Sequence, residues 1–150
     1  MHAPPSSADA AIEALERGFV AAFRAKDVGQ IMSFCASDDK LFVFDLASAR
    51  QHSGHDAFAE SWRRLFAMIV GPLRVDMSEL AITSTDSSDL AFSHSIVHVS
   101  GQRTDGTTFD HHARVTHGYQ KLSGTWLIIH EHVSVPVDMS TGNADFHWKA

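Results

Sequence analysis

Apolar residues recur at three- and four-residue spacing through the first part of the chain and in runs or alternation afterwards, so helices are expected early and strands late. From about Ser7 to Ala25, Ile12, Leu15, Phe19 and Phe23 make one stripe, Ser7 suits the cap, and Asp9 and Glu13 suit the positive end of the helix. Lys26-Asp27 ends that helix and caps a short second one, Val28 to Cys35, on which Ile31, Met32 and Phe34 are apolar. Leu41 to Leu46 is a nearly continuous apolar run interrupted by one charge, Asp45, which reads as a buried strand. A loop follows, Ala47 to Gly54. A third helix is then expected from His55 to about Ile69, carrying Phe58, Trp62, Leu65, Phe66 and Ile69 on one face and stopped by Gly71-Pro72.

After Pro72 the pattern predicts antiparallel strands over Leu73 to Thr83, Leu90 to Ser100, Thr107 to Leu122 and Thr125 to Val137. The last two flank Ser123-Gly124, a dipeptide suited to a two-residue turn because glycine takes the positive φ such turns need. That loop pairs Leu122 with Thr125 and, continued outward, Tyr119 with Ile128, His117 with His130, and Val115 with His132. Strand alternation then puts Tyr119, Ile128, His117, His130, Val115, His132 and Trp126 on one face, and Arg114, Thr116, Gln120, Leu127, Ile129 and Glu131 on the other. The first face mixes large apolar groups with imidazoles, the composition of a pocket wall. Helices followed by long strands imply an α+β fold, with N-terminal helices packed in a strongly curved antiparallel sheet to make a cone-shaped barrel whose open end is a pocket. Residues 1–137 read as that domain. Residues 138–150 read as a polar tail, with Phe146 and Trp148, able to fold back as a flap.

Composition narrows the partners. The chain has 150 residues and a formal charge of −6, with scattered lysine and arginine and no basic stripe for a nucleic-acid backbone. Met1 to Ser7 has no basic flank and no apolar core like a signal peptide's, and no run approaches the ~20 apolar residues of a membrane span, so a soluble, cytoplasmic protein is expected. The single cysteine, Cys35, excludes an internal disulfide and a multi-cysteine zinc site, and reads as a core thiol. Eleven histidines are many for this length, and they cluster late in the chain.

The element order resembles the nuclear-transport-factor-2-like fold and, within it, the SnoaL-like and ketosteroid-isomerase-like proteins. Two segments carry the resemblance: Phe19-Val-Ala-Ala-Phe-Arg-Ala-Lys-Asp-Val-Gly-Gln-Ile-Met-Ser-Phe, and Gly124-Thr-Trp-Leu-Ile-Ile-His-Glu-His-Val-Ser-Val-Pro. The second is similar to the Gly-x-Trp-x-x-x-His-x-His-x-Ser pattern of these proteins and of the association domain of calmodulin-dependent kinase. The fold hosts isomerases, dehydratases, cyclases, non-catalytic binders and assembly hubs, so activity must be argued from the site. The resemblance implies that Asp45 stands where ketosteroid isomerases keep the proton-shuttling aspartate, and Phe19 where they keep the tyrosine that hydrogen-bonds the enolate oxygen. Phe19 has no donor, and losing one such donor typically costs about 3 kcal/mol in barrier, so another group must replace it or the chemistry differs.

A carboxylate inside an apolar strand loses hydration and becomes a stronger base, as proton abstraction beside a carbonyl requires; alternatively, Asp45 caps the following loop or pairs with Arg50. His117, His130 and His132 are the candidate proton donors, against the alternative that each is a hydrogen-bonded wall residue. Phe19, Trp62, Phe66, Tyr119 and Trp126 are the apolar lining, and His98 and His94 could join it. His-x-His on one strand also suits a metal, with His117 or Asp45 as third ligand, but no further ligand motif accompanies it and neither metal nor cofactor is expected. Arg114 and Glu131 suit a cross-strand ion pair on the outer face; a bulge that reversed parity would turn Arg114 into the pocket as an anion anchor. Leu127 and Ile129 make that outer face too apolar for full exposure, so a homodimer through the sheet is expected, and the resemblance implies the same. These features favour a cofactor-free enzyme moving protons on a small hydrophobic, cyclic carbonyl compound, against a non-catalytic dimer that binds a small ligand or serves in assembly.

Overall fold

A computed structural model describes residues 6–46 and 50–148; the first five residues, part of the Ala47 to Gly54 loop and the last two residues of the tail lie outside the described residues. Three helices, α1 (Ser7–Ala25), α2 (Val28–Ser33) and α3 (His55–Ala67), pack against a six-stranded sheet. Its strands are β1 (Phe42–Phe44), β2 (His52–Ser53), β3 (Ile69–Thr83), β4 (Leu90–Arg103), β5 (Thr108–Leu122) and β6 (Thr125–Ser134). They lie in the order β2-β1-β6-β5-β4-β3, with only the β1–β6 pair parallel. The result is the expected α+β cone, with helices on the concave face of a curved, unclosed sheet. No described helix is long and apolar enough to cross a membrane.

Local chemistry explains most boundaries. Ser6, one residue before the expected cap, starts α1: its hydroxyl accepts from the Asp9 N–H while Asp9 accepts from the Ser6 N–H. Ser84 also donates to Asp9 at 2.6 Å, tying the end of β3 to the start of α1. Lys26 ends α1 in the left-handed region, and Asp27 caps α2, as its residue type suggests. The third helix stops earlier than expected, at Ala67, because Ile69 is already committed to β3, buried with Leu73 and Val75. Gly71-Pro72 therefore stops no helix. The pair sits in a register shift of β3, where no ladder partner needs the N–H that proline lacks.

The Ser123-Gly124 turn forms as predicted, pairing Leu122 with Thr125 and Tyr119 with Ile128. Beyond that point the predicted register fails, because Ile129 is an extra residue on β6. Gly118 faces His130, His117 faces Glu131, and Thr116 faces His132. Residues 34–36 explain the disturbance: Ala36 N–H bonds to the Ile128 carbonyl and Ile128 N–H to the Phe34 carbonyl, whereas β1 pairs with β6 only from His130 onward. The bulge falls where one neighbour hands over to the next, and it reverses every later side chain of β6.

The core lies between α1, α3 and the concave face. Ile12, Leu15, Phe19, Phe58, Trp62, Tyr119, Trp126 and Ile128 are all buried, and Cys35 is a core thiol as read from sequence. After β6 the chain doubles back: Val137 bridges Ala144, and the His112 N–H donates to the Phe146 carbonyl along the part of β5 that β6 has left.

Gly124 holds φ at +82°. Gly124→Ala is expected to destabilise the fold by about 1–2 kcal/mol, because a Cβ strains that backbone. Thermal unfolding checks this, with a fall in Tm of roughly 2–4 °C per kcal/mol, and Gly124→Asn, which tolerates positive φ, falling less.

Candidate functional site

At the centre of the concave face, Glu16 of α1, His117 of β5 and Glu131 of β6 form a buried chain. The Nδ1–H of His117 donates to Glu16 Oε1 at 2.5 Å, and its Nε2–H donates to Glu131 Oε2 at 2.7 Å. Tyr119 donates to the same Glu16 oxygen through a short hydrogen bond, and Ser93 donates to Tyr119 at 2.6 Å. Burial disfavours a charged ring at His117, but Glu16's charge and hydrogen bonds to Glu131 and Glu16 outweigh it, and hold the imidazole up at about 10. Burial likewise opposes charge on Glu16, and the imidazolium with the His117 and Tyr119 hydrogen bonds keeps that carboxyl below its ordinary value. Burial and the charge on Glu16 push the Tyr119 phenol upward, so it stays a donor. The network is an imidazolium clamped by two carboxyl side chains, with both ring nitrogens engaged.

A second polar group lies at the end of β1. Asp45 Oδ2 is 3.9 Å from His52 Nε2, on the side of the sheet that carries buried Val43. The Asp45 side chain is 30% exposed, so the pair is reachable from solvent. Among the described residues His52 Nε2 is nonetheless buried without a hydrogen-bond partner, and so is Trp62 Nε1. Both rings flank Phe58, with centroids 6.4 Å and 5.7 Å from it. Buried polar atoms are almost always paired, so these two, unpartnered among the described residues, are the groups a ligand could engage.

The nominated residues divide between two faces. His117, Tyr119, Trp126, Phe19, Trp62 and Phe66 belong to the interior, with Phe19 edge-on to His117 at 5.4 Å and to Trp62 at 5.9 Å. His130 and His132 face outward with Phe42 and Phe44, since the Ile129 bulge turns them there. His130 donates to the Phe42 carbonyl at 2.8 Å. The expected convergence of His117 with that pair therefore does not occur, and a metal held by His130, His132 and His117 is ruled out by geometry. His94 and His98 also lie on the outer face, where His98 donates to Asp110 at 2.8 Å. Arg114 is exposed and donates to Ser134 at 3.1 Å; the bulge that could have turned it inward turned Glu131 instead, so the Arg114–Glu131 pair is absent. Asp45 falls just past β1 rather than inside a buried strand; it accepts from the Leu46 N–H at 2.7 Å, as the loop-capping alternative has it, and approaches His52 rather than Arg50. Two shallow depressions, of about 240 and 490 Å³, are lined by Ser7, Asp86, Lys121 and Trp126, and by Met32, Cys35, His55 and Leu127; neither includes Asp45, His117 or Trp62.

Sequence reasoning missed Glu16, Glu131, His52 and Ser93. Glu16 carried a signal, for it stands beside Leu15 on the apolar stripe of α1, where a carboxylate needs a buried partner. Glu131 and His52 carried none, because their orientation depends on the bulge and on a two-residue strand inside an expected loop.

A family model described as a SnoaL-like domain matches residues 12–138. Among solved structures, the chain is similar to an NTF2-like protein of unknown function from Pseudomonas putida, at 29% identity and a TM-score of 0.86, covering 99% of this chain and 100% of that one. It is also similar to an NTF2-like superfamily protein from Salmonella enterica, at 16% identity, TM-score 0.76 and coverage of 93% and 100%. A ketosteroid isomerase-like protein from Erwinia carotovora aligns at 19% identity and TM-score 0.70, covering 83% and 93%. These last two likenesses show the fold alone. No curated protein matches the chain.

His117, raised to about 10, stabilises the fold fully below its ordinary value of 6.5 and loses that contribution as pH rises through 10. Glu16, lowered from 4.5, contributes above that value and loses it as pH falls. Denaturant midpoints are therefore expected to be highest between about pH 4.5 and 6.5 from these two groups, and His117→Gln should flatten the alkaline decline. His117→Leu, which leaves the carboxyl pair without a cation, should cost about 3–5 kcal/mol in the same measurement.

Proposed function

The chain belongs to the SnoaL-like family, and on that premise we propose that it moves protons on a small hydrophobic, cyclic carbonyl compound at the Asp45–His52–Trp62 wall. The observation that carries this reading is that His52 Nε2, buried without a hydrogen-bond partner among the described residues, lies 3.9 Å from a carboxylate that solvent can reach, with the similarly unpartnered Trp62 indole on the other side of the Phe58 contact. A ligand oxygen would accept from the indole N–H, which replaces the donor that Phe19 lacks. Asp45 would take a proton from the carbon next to the carbonyl, and His52, within ion-pair range, would hold the carboxylate in place and receive or return the proton. His130 and His132, on the outer face, have no part in this step. His117 is a positioning residue: its two carboxyl partners fix α1, β5 and β6 behind the wall.

A second reading is favoured by the packing. Phe19, Trp62, Tyr119 and Trp126 are each less than a tenth exposed, and neither depression described above is lined by Asp45, His117 or Trp62. A non-catalytic dimer fits that filled cone, and exposed Phe44 and Phe92 on the outer face supply apolar surface for a second copy.

Deuterium exchange at the carbon beside the carbonyl, followed by NMR across a panel of cyclic ketones, separates the two readings. A rate above that of free acetate, lowered by roughly 10²–10⁴ in Asp45→Asn, is expected for the first. No exchange with any ketone, or exchange that Asp45→Asn leaves intact, would overturn the assignment, and a dimer mass in sedimentation with no exchange would establish the second.

A further inference from the structure

On the outer face, away from the concave wall, the strand register brings His98 of β4 directly opposite His112 of β5. Asp110 lies two residues before His112 on the same strand, so its side chain shares that face. One nitrogen of each imidazole and one carboxylate oxygen of Asp110 lie within 4.8 Å of one another. The two rings stack at 4.3 Å with an interplanar angle of 5°. Among the described residues His112 Nδ1 is, moreover, buried without a hydrogen-bond partner, and the Trp148 ring stands edge-on to His112 at 5.9 Å. Since the Phe146 carbonyl accepts from the His112 N–H, the returning tail forms one side of this cluster.

We propose that His98, Asp110 and His112 bind a borderline divalent metal ion such as zinc, with water completing the coordination. Two imidazoles and a carboxylate are a donor set that suits zinc, cobalt(II) or iron(II) better than calcium or magnesium. Tetrahedral bonds of about 2.0–2.1 Å would place ligand atoms about 3.3 Å apart, so modest side-chain rotation closes the site. The His98 hydrogen bond to Asp110, 2.8 Å long, holds the carboxylate beside the imidazoles in the absence of metal and is exchanged for two metal bonds. The neighbouring acid, Asp76, is occupied by Arg74 at 2.6 Å, whereas Asp110 already faces the two imidazoles. His111 does not share the site, because its ring stacks on Phe146 at 4.2 Å. The tail stands beside the cluster, so metal binding would hold residues 144–148 against β5.

Titration of tag-free, chelator-treated protein with cobalt(II), followed by visible absorption and by zinc competition, tests the assignment. One equivalent is expected to bind in the micromolar range, with zinc displacing it. His98→Ala and His112→Ala should each weaken binding about tenfold or more, and His130→Ala should leave it unchanged. Asp110→Asn, which preserves the fold's shape, should also weaken binding, and zinc should raise the Tm of the natural sequence but not of that variant. Absence of saturable cobalt binding, or binding that persists in His112→Ala and is lost in His130→Ala, would overturn the proposal. Circular dichroism of each variant identifies any loss caused by unfolding, and Asp110→Asn then decides alone.

Discussion

The clamp on His117 is the constraint to which the rest of the cone is fitted. An imidazolium buried between two carboxyl side chains is tolerable only if each charge keeps its partner, because an isolated ion in that interior would cost several kcal/mol. Its three members come from α1, β5 and β6, so the helix, the long strand and the C-terminal strand must meet in one geometry. Tyr119 and Ser93 extend the same requirement to the neighbouring strand by supplying hydrogen bonds to Glu16 and to each other. Hydrophobic burial by Ile12, Phe19, Trp126 and Ile128 drives the collapse, and the polar chain selects the register in which it ends.

The Ile129 bulge is the backbone consequence. Without the extra residue, Trp126, Ile128, His130 and His132 would all look inward, and Glu131 would face solvent on the outer side. With it, the two apolar positions before the bulge stay in the core and Glu131 enters to meet His117. One residue therefore sorts the imidazoles into two populations: His117, enclosed and charged, and His130 and His132, turned out among Phe42 and Phe44. The concave face accordingly holds His117 without the other two histidines of the expected trio, while His130 and His132 join the outer face beside Phe42 and Phe44. Belonging to the SnoaL-like family says which cone this is, and the disposition of these side chains says what this particular cone could hold.

Much was determined by the order of residues alone. The stripe of Ile12, Leu15, Phe19 and Phe23, the turn at Ser123-Gly124, the capping at Asp27 and the alternation along β5 are local properties, in which each residue's neighbours in sequence are also its neighbours in space. They were enough to place the helices, the long strands, the cone and the inward aim of His117 and Tyr119. What only the tertiary structure decided was set by partners far along the chain: Glu16 meets His117 across more than a hundred residues, and Asp45 meets His52 through a strand two residues long. The bulge belongs with these, since it arises where β6 changes neighbours from residues 34–36 to β1, a handover invisible in the hairpin itself. Because side chains alternate every residue, a single unforeseen insertion reverses all that follow, so the local pattern could specify the strand while leaving open which of its faces became the interior.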